Sequence, residues 1–183
     1  KNSPGWDENQ EIIQEMDKDV TKLRVVTERF SSIGSRPVIQ PENVYETLER
    51  NIAYIKKRTS EKITLEINGD HTICAQLNAS LFDWVIENLC NNAINAIGIQ
   101  GAIKLAISQQ KNKVFIDISD TGAGIPKSKF ETVFEPGYTT RKRGWGLGLS
   151  LAKRIIENYH NGQIAVKESV LGKGSTFRIT LYA

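Results

Sequence analysis

The stretch Asp120-Thr-Gly-Ala-Gly-Ile-Pro126 places a carboxylate at the end of a predicted strand and follows it with two glycines. The strand begins at Val114, and its apolar and polar side chains alternate as in a strand that buries one face. A carboxylate at a strand end can accept a hydrogen bond from an exocyclic amine, and glycines let the backbone approach a flat ring without a Cβ. The stretch therefore predicts a ligand-binding site.

A second glycine cluster, Gly144-Trp-Gly-Leu-Gly-Leu149, opens a predicted amphipathic helix. Backbone N–H groups at a helix start are suited to binding phosphate. The dinucleotide-binding fingerprint is excluded for both clusters, because Leu149 and Lys127 stand where its third glycine would fall. A Walker A loop is excluded at Gly172-Lys-Gly-Ser175, because its first glycine would fall on Lys167. Two common classes of nucleotide-binding fold are thereby ruled out.

A helix predicted from Ala79 to Ile97 carries two separate stripes of side chains. Apolar residues recur at the helical repeat and predict a buried face: Phe82, Val85, Ile86, Leu89, Ala93 and Ile97. Asn88, Asn92 and Asn95 form the second stripe, at spacings of four and three residues. A lone asparagine would be an ordinary surface residue, but asparagine is an indifferent helix former and its amide oxygen suits hard cations. Asn88 and Asn92 together favour a cation site.

Four segments occur in this order along the chain: Asn88-Leu-Cys-Asn-Asn-Ala93, Asp120–Pro126, Phe130-Glu-Thr-Val-Phe-Glu-Pro-Gly-Tyr-Thr-Thr140 and Gly144–Leu149. They resemble the N, G1, F and G2 boxes of the sensor histidine kinases, which belong to the GHKL superfamily of ATP-binding domains. The resemblance covers residues 62–182, and the order of the motifs makes it specific. It implies a domain that binds ATP together with Mg²⁺.

The resemblance also implies roles for individual residues. Asn92 is expected to be the principal Mg²⁺ ligand with Asn88 assisting, and Asp120 is expected to accept a hydrogen bond from the adenine amino group. Arg141 and Lys142 would lie on a mobile lid over the phosphates. The residues expected to bind ATP are Asn88, Asn92, Asp120, Gly122, Gly124, Ile125, Phe134, Thr139, Thr140, Arg141, Lys142, Gly144, Gly146, Leu147, Gly148, Leu149 and Ser175.

The residue at position 88 bears on the type of reaction. ATP-hydrolysing members of the superfamily carry a glutamate four residues before the magnesium asparagine, and this chain has Asn88 there. Glu87 would be turned about 100° around the helix, and an amide cannot act as a general base. The resemblance therefore implies transfer of the γ-phosphate to a histidine of the protein's own dimerisation domain, and then to a response-regulator aspartate. Two alternatives stay open: a GHKL-type ATPase, and a nucleotide-binding regulatory module without transfer activity.

The chain divides into two predicted parts. Residues 1–36 carry a heptad seam (Ile13, Met16, Val20, Leu23, Thr27, Phe30), which resembles the second helix of the dimerisation and phosphoacceptor hairpin. By the resemblance, the intact protein would form a homodimer through this helix. Residues 37–183 would form the catalytic domain, an α/β (α+β) two-layer sandwich whose mixed sheet is covered on one face by helices.

The secondary structure of the second part follows from periodicity and turn residues. We expect a helix that starts near Pro41 and runs to Arg58, and a helix that starts near Leu147, buries Leu151, Ile155 and Tyr159, and stops at Asn161-Gly162. The expected strands are Ile63–Ile67, Thr72–Leu77, Ala102–Ser108, Val114–Ser119, Gln163–Glu168 and Thr176–Leu181.

Composition limits the partners and the compartment. A net charge of +3 gives no argument for nucleic acid, and no run approaches the apolar length of a membrane span. We expect a cytoplasmic domain, with attachment of the parent protein to the inner membrane left open, and the start at Lys1 without a methionine suggests a fragment. Cys74 and Cys90 are expected to be buried free thiols. Neither His71, in a turn, nor His160, as a cation at a helix end, has the setting of a phosphoacceptor.

Overall fold

The computed structural model describes residues 37–140 and 145–183, and Val38–Ala183 form one compact unit. The predicted helix over residues 1–36 and the basic run Arg141-Lys-Arg143 lie outside the described residues, so the proposed domain division stays a prediction. Within the described ranges, no helix combines the length and the apolar character that crossing a membrane requires.

A mixed sheet of five strands forms one layer of the unit. The described residues form seven strands, five of which belong to this sheet: β1 (Gln40–Asn43), β2 (Ile63–Gly69), β3 (Cys74–Leu77), β4 (Gly101–Gln110), β5 (Lys113–Asp120), β6 (Gln163–Val170) and β7 (Gly174–Tyr182). The main sheet has the order β2-β4-β5-β7-β6, in which β2 and β4 are parallel and all other neighbours are antiparallel. Strands β1 and β3 form a separate antiparallel pair.

Helices cover one face of this sheet. They are α1 (Val44–Lys56), α2 (Ala79–Ile97) and α3 (Gly148–Arg154), and α3 continues as a π-helix over Ile155–Tyr159. The covered face is apolar, with Ile116 of β5 and Ile179 of β7 fully buried. The opposite face is polar, and there Asp117 accepts hydrogen bonds from Arg178 at 2.6 and 2.7 Å and from Lys167 at 2.9 Å. The predicted two-layer α/β sandwich is therefore confirmed for this unit.

The prediction that a helix starts at Pro41 is wrong. Pro41 lies in β1, opposite Gln76 of β3, and proline is tolerated in such a short edge strand because its missing N–H leaves no ladder bond unmade. The helix begins three residues later, at Val44. Asn43 caps it, because its side-chain oxygen accepts a hydrogen bond from the Glu46 amide at 3.0 Å.

The two cysteines differ in burial. Cys90 is buried in α2 as predicted, and burial raises the pKa of its thiol to about 12. The prediction that Cys74 is buried is wrong, since Cys74 is exposed. The alternation along this segment buries Ile73, Ala75 and Leu77 and so turns Cys74 outward.

The prediction that His160 is a cation at a helix end is also wrong. His160 is only 4% exposed, and burial lowers its pKa. Its Nδ1–H donates to the Ile155 carbonyl and its Nε2 accepts from the Asn78 amide, both at 3.0 Å. Because a carbonyl can only accept and an amide N–H can only donate, the neutral ring with its proton on Nδ1 is the form that satisfies both partners.

Asn78 connects three parts of the unit. Besides its bond to His160, it caps α2, since its side-chain oxygen accepts from the Leu81 amide at 3.1 Å. Its side-chain nitrogen donates to the Val38 carbonyl at 3.0 Å, where the chain enters the unit. The start of α2 is thus tied both to the entering chain and to the end of the π-helix.

The helix after Gly148 ends where the sequence predicts, but it buries a different face. Asn161 has φ +51°, the left-handed conformation expected of an Asn-Gly stop. The buried residues are Ala152, Ile155 and Ile156, whereas Leu151 and Tyr159 are half-buried. Ala152, Ile155 and Ile156 have the i, i+3, i+4 spacing of a regular helix, so the buried stripe lies next to the predicted one, and the π-helical turn begins only at Ile155.

Candidate functional site

Asp120 lies at the end of β5 and is only 8% exposed. Its Oδ1 accepts a hydrogen bond of 2.7 Å from the Gly122 amide. Burial raises the pKa of this carboxyl, and hydrogen bonds from the backbone amides of Gly122 and Ser175 oppose the rise. The site thus contains an acceptor group that is largely shielded from water.

Asp120 belongs to a polar row that crosses three neighbouring strands. Ser175 of β7 lies opposite Asp120, and Ser169 of β6 lies opposite Ser175 with 3.0 Å between the two hydroxyl oxygens. The preceding row is apolar and consists of Ile118, Phe177 and Val166. The helix-covered face of the sheet therefore changes from apolar to polar at this edge.

The loop after Asp120 is held between α2 and the turn that joins β6 and β7. A Cβ on Gly122 would lie 2.7 Å from the Cβ of Ala96, and the Ala123 amide donates to the Ala96 carbonyl at 3.1 Å. Gly124 has φ +76°, and a Cβ there would lie 2.3 Å from the Val170 carbonyl oxygen. Both glycines are needed for packing of the loop, and their predicted contact with adenine stays a prediction.

Asn88 directs its side-chain oxygen towards the start of α3. Its Nδ2 donates to the Trp84 carbonyl at 2.9 Å, and a Cβ on Gly148 would lie 2.8 Å from its Oδ1. Asn92 is half-buried one turn further along α2. An amide oxygen turned away from its own helix fits a hard cation, so the donor set agrees with the predicted Mg²⁺ site. Asn95 is exposed and donates to the Asn91 carbonyl.

In the segment that leads into α3, the backbone at Gly137 contacts the backbone at Gly146. The Gly137 amide donates to the Gly146 carbonyl at 3.1 Å, and a Cβ on Gly146 would lie 2.4 Å from the Gly137 carbonyl carbon. Leu147 precedes the helix, and its carbonyl accepts from the Ser150 hydroxyl at 2.9 Å. Thr139, Thr140 and Trp145 are exposed, and Leu149 is half-buried.

Phe134 has a core position. It is 6% exposed and packs edge to face on Phe177, with 6.1 Å between the ring centroids. Its predicted contact with ATP stays a prediction. Arg141, Lys142 and Gly144, also predicted to bind ATP, lie outside the described residues.

Helix α2 connects the two halves of the predicted site. Asn88 adjoins Gly148, and Ala96, about 12 Å further along the helix axis, contacts the loop at Gly122. Asn92 lies between these two contacts. The asparagine stripe, the loop after Asp120 and the start of α3 are therefore brought together along a single helix.

The sequence reasoning missed Ser169, whose hydroxyl accepts a hydrogen bond of 2.7 Å from the Ile125 amide. Strand periodicity gave no signal for it. A register shift between Val166 and Glu168 interrupts the alternation of β6 just before Ser169, and such a bulge cannot be read from apolar spacing.

Comparisons with known proteins agree with this arrangement. The sequence model of the family described as "Histidine kinase-, DNA gyrase B-, and HSP90-like ATPase" matches residues 78–183. The chain is 33% identical over 184 residues to the sensor histidine kinase ZraS of Salmonella typhimurium, a match that covers 98% of this chain and 39% of that protein. The chain thus spans about two fifths of the length of the curated relatives it matches first.

Solved structures share the fold. The catalytic domain of the histidine kinase ThkA, in a nucleotide-free form, matches with a TM-score of 0.69 and 26% identity, over 79% of this chain and 95% of that chain. Histidine kinase ThkA in complex with response regulator protein TrrA matches with a TM-score of 0.74 and 21% identity, over 100% of this chain and 53% of that chain. From the family match and the identity to ZraS together, the chain belongs to the histidine kinase-, DNA gyrase B- and HSP90-like ATPase family and, within it, to the sensor histidine kinases.

Proposed function

We propose that this chain binds Mg²⁺·ATP and presents the γ-phosphate to a histidine on the dimerisation domain of a sensor histidine kinase. The observation that carries the proposal is the buried carboxylate of Asp120 at the polar edge of the sheet. We divide the site into a base end, formed by Asp120, Ile125, Ser169 and Ser175, and a phosphate end, formed by Asn88, Asn92 and Gly146–Leu149.

At the base end, Asp120 accepts a hydrogen bond from the exocyclic amine of adenine. Guanine carries a carbonyl at the corresponding edge, and a carbonyl oxygen facing a shielded carboxylate leaves two acceptors without a proton between them. Selection of adenine over guanine then follows from charge and hydrogen bonding rather than from shape.

At the phosphate end, the side-chain oxygens of Asn88 and Asn92 hold Mg²⁺, and the backbone N–H groups at Gly146 and Gly148 face the phosphates. Bound Mg²⁺ supplies positive charge that offsets the charge on the phosphate oxygens. The turned-out Asn88 oxygen supports this assignment. Arg141 and Lys142, which lie outside the described residues, are assigned to phosphate binding from the sequence alone.

The residues present favour phosphoryl transfer over hydrolysis. An amide at position 88 cannot remove a proton from water, so catalysis rests on positioning the γ-phosphate for an external nucleophile. The external nucleophile is a histidine of the dimerisation domain: its nitrogen bonds to the γ-phosphorus as the bond to the β-phosphate oxygen breaks and ADP leaves, and an aspartate of a response regulator receives the phosphoryl group afterwards. The likeness to a histidine kinase solved in complex with a response regulator supports this choice of partner.

Two properties of the parent protein complete the proposal. The homodimer forms through the helix predicted in residues 1–36, because a heptad seam of this kind needs a partner helix. The chain acts in the cytoplasm, where ATP and the receiver domain are available.

The base end can be tested by calorimetry with Mg²⁺·ATP and Mg²⁺·GTP. ATP should bind about 10- to 100-fold more tightly than GTP, as expected for a hydrogen bond to a charged acceptor. Asp120→Asn should remove the preference, since an amide can donate to the guanine carbonyl. Asp117→Asn is the matched control, because Asp117 lies on the same strand but on the polar face. Equal binding of GTP and ATP by the unaltered chain would contradict the proposal.

Phosphoryl transfer can be tested with γ-labelled ATP and a separate polypeptide that carries the parent protein's acceptor helix. Acid-labile label should appear on that helix and on neither His71 nor His160. His160 is buried, and the His71 ring is stacked on the Tyr45 ring with 3.6 Å between the ring centroids. Steady release of free phosphate that depends on Asn92, without labelled protein, would instead favour the ATPase alternative.

A further inference from the structure

A β-bulge in β6 determines which side chain completes the base end. Val166 lies opposite Phe177 and Glu168 lies opposite Thr176, so Lys167 is the extra residue. Strict alternation after Val166 would turn Glu168 towards the helices and Ser169 towards solvent. With the bulge, Ser169 faces inward opposite Ser175, so a neutral hydroxyl stands where a second carboxylate would otherwise join the row that contains Asp120.

The Ser169 hydroxyl has three partners. Its oxygen lies 2.7 Å from the Ile125 amide nitrogen, 2.9 Å from the Gly174 carbonyl oxygen and 3.0 Å from the Ser175 hydroxyl oxygen. A hydroxyl has one proton to donate and two lone pairs to accept with. The Ile125 amide can only donate and the Gly174 carbonyl can only accept, so the Ser169 proton points to Gly174. The remaining lone pair accepts the proton of Ser175.

This assignment determines what Ser175 offers to a ligand. Because its proton is directed to Ser169, the Ser175 hydroxyl presents lone pairs to the rest of the site. Ser175 is 5% exposed and lies directly opposite Asp120, so two acceptors stand side by side at the base end. An amino group, which has two protons to donate, matches such a pair, whereas a carbonyl oxygen matches neither member.

We propose that Ser169 is a positioning residue for base selection, because it orients the Ser175 hydroxyl as an acceptor and tethers the loop after Asp120 through Ile125. The inference deepens the proposed function and rests on it, since the selected base is that of ATP. Ser169 acts through Ser175 and Ile125 and does not itself need to touch the nucleotide.

The test compares Ser169→Ala with Ser108→Ala, a control on the exposed outer side of β4. In Ser169→Ala, hydrogen exchange of the Ile125 amide should accelerate about 5- to 10-fold without nucleotide, which corresponds to the loss of one ordinary hydrogen bond. The preference for ATP over GTP should fall by a similar factor. Ser169→Thr, which keeps the hydroxyl in a residue suited to strands, should restore both properties.

A double-mutant cycle separates this role from a general loss of stability. Ser175→Ala should lower the ATP preference as Ser169→Ala does, and the double variant should lose no more than either single variant, because both changes interrupt the same chain of hydrogen bonds. If the losses of ATP preference in the two single variants added up in the double variant, or if Ser169→Ala kept the full preference, the inference would be overturned. In either case the preference of the unaltered chain for ATP would still support the proposed function. Absence of ATP binding by the unaltered chain would overturn both.

Discussion

The base end and the phosphate end differ in how their polar groups are held. At the base end, the Asp120 carboxylate, the Ile125 amide and the Ser175 hydroxyl all have partners at 2.7–3.0 Å from the same three strands and their loop. At the phosphate end, the side-chain nitrogen of Asn88 donates to the Trp84 carbonyl, and its oxygen faces another element, the start of α3. The exposed Thr139, Thr140 and Trp145 also lie on this side.

From this difference we expect the two ends to contribute to nucleotide binding in different ways. Hydrogen bonds among residues of the sheet hold the base end in position before a ligand arrives, so little reorganisation is needed there. The phosphate end presents oxygens and backbone N–H groups whose natural partners are a cation and an anion. Selection of the base should therefore be separable from affinity for the phosphates, and the following predictions test that separation.

The largest effect is expected at the phosphate end. Asn92→Ala should reduce Mg²⁺-dependent ATP affinity by about 100-fold, because a metal ligand is lost. The ratio of ATP to GTP affinity should stay at the wild-type value, since the base end is unchanged. Calorimetry with and without a chelator measures both quantities, with Asn91→Ala on the exposed side of α2 as control. The metal assignment fails if Asn92→Ala binds Mg²⁺·ATP as tightly as the unaltered chain does.

A smaller effect is expected in the difference between two substitutions in the turns around the base end. Gly124 and Gly172 have similar φ values, +76° and +72°, but only Gly124 has atoms within 4 Å of an added Cβ. Alanine at either position should lower the free energy of unfolding by about 1–2 kcal/mol through backbone strain. Gly124→Ala should lose roughly 2 kcal/mol more, from the overlap with the Val170 carbonyl. Urea unfolding compares the two variants, and equal losses would show that the loop does not need this close approach.

The smallest effect concerns His160, which holds the start of α2 through Asn78; α2 carries Asn88 and Asn92 of the phosphate end. Because the pKa of His160 is lowered from its ordinary value of 6.5, the folded state prefers the neutral ring. The contribution of His160 to stability is complete above pH 6.5 and is lost as the pH falls through the lowered value. Protonation would place a hydrogen on Nε2, where the Asn78 amide now donates.

The measurement is the free energy of unfolding between pH 7.5 and 5, for the unaltered chain, His160→Gln and His71→Gln. Asp120 contributes with the opposite sign, since its raised pKa makes protonation favour the folded state. The comparison with His160→Gln isolates the histidine, because Asp120 is present in every variant. If the free energy of unfolding changed with pH in the same way in His160→Gln and in the unaltered chain, the preference of the folded state for a neutral His160 would be contradicted.

Much of the site can be predicted from the sequence because it follows regular periods. Alternation from Val114 to Ile118 places Asp120 on the buried side of β5, and the helical repeat places Asn88 and Asn92 on one stripe of α2. Cys74 could have been placed by the same alternation, since Ile73 and Ala75 on either side of it are buried.

The remaining features depend on departures from a regular period or on contacts distant in sequence. The bulge at Lys167 brings Ser169 inward, and in the helix before His160 it is Ala152 rather than the larger Leu151 that is buried. The neutral state of His160 follows from its burial, and the Asn78 amide that bonds its Nε2 lies 82 residues away in the chain. Proline is compatible both with a short edge strand and with the first turn of a helix, so the local sequence around Pro41 does not decide between the two.

The bonds of Asn78 also have a mechanical consequence. Asn78 is the N-cap of α2, and its side chain is hydrogen-bonded to the Val38 carbonyl. A displacement of the backbone at Val38 is therefore transmitted to the N-terminal end of α2. Measured from Asn78, Asn88 lies about 15 Å and Asn92 about 21 Å along the helix axis. A rotation of α2 about Asn78 therefore moves the expected principal Mg²⁺ ligand further than the assisting one.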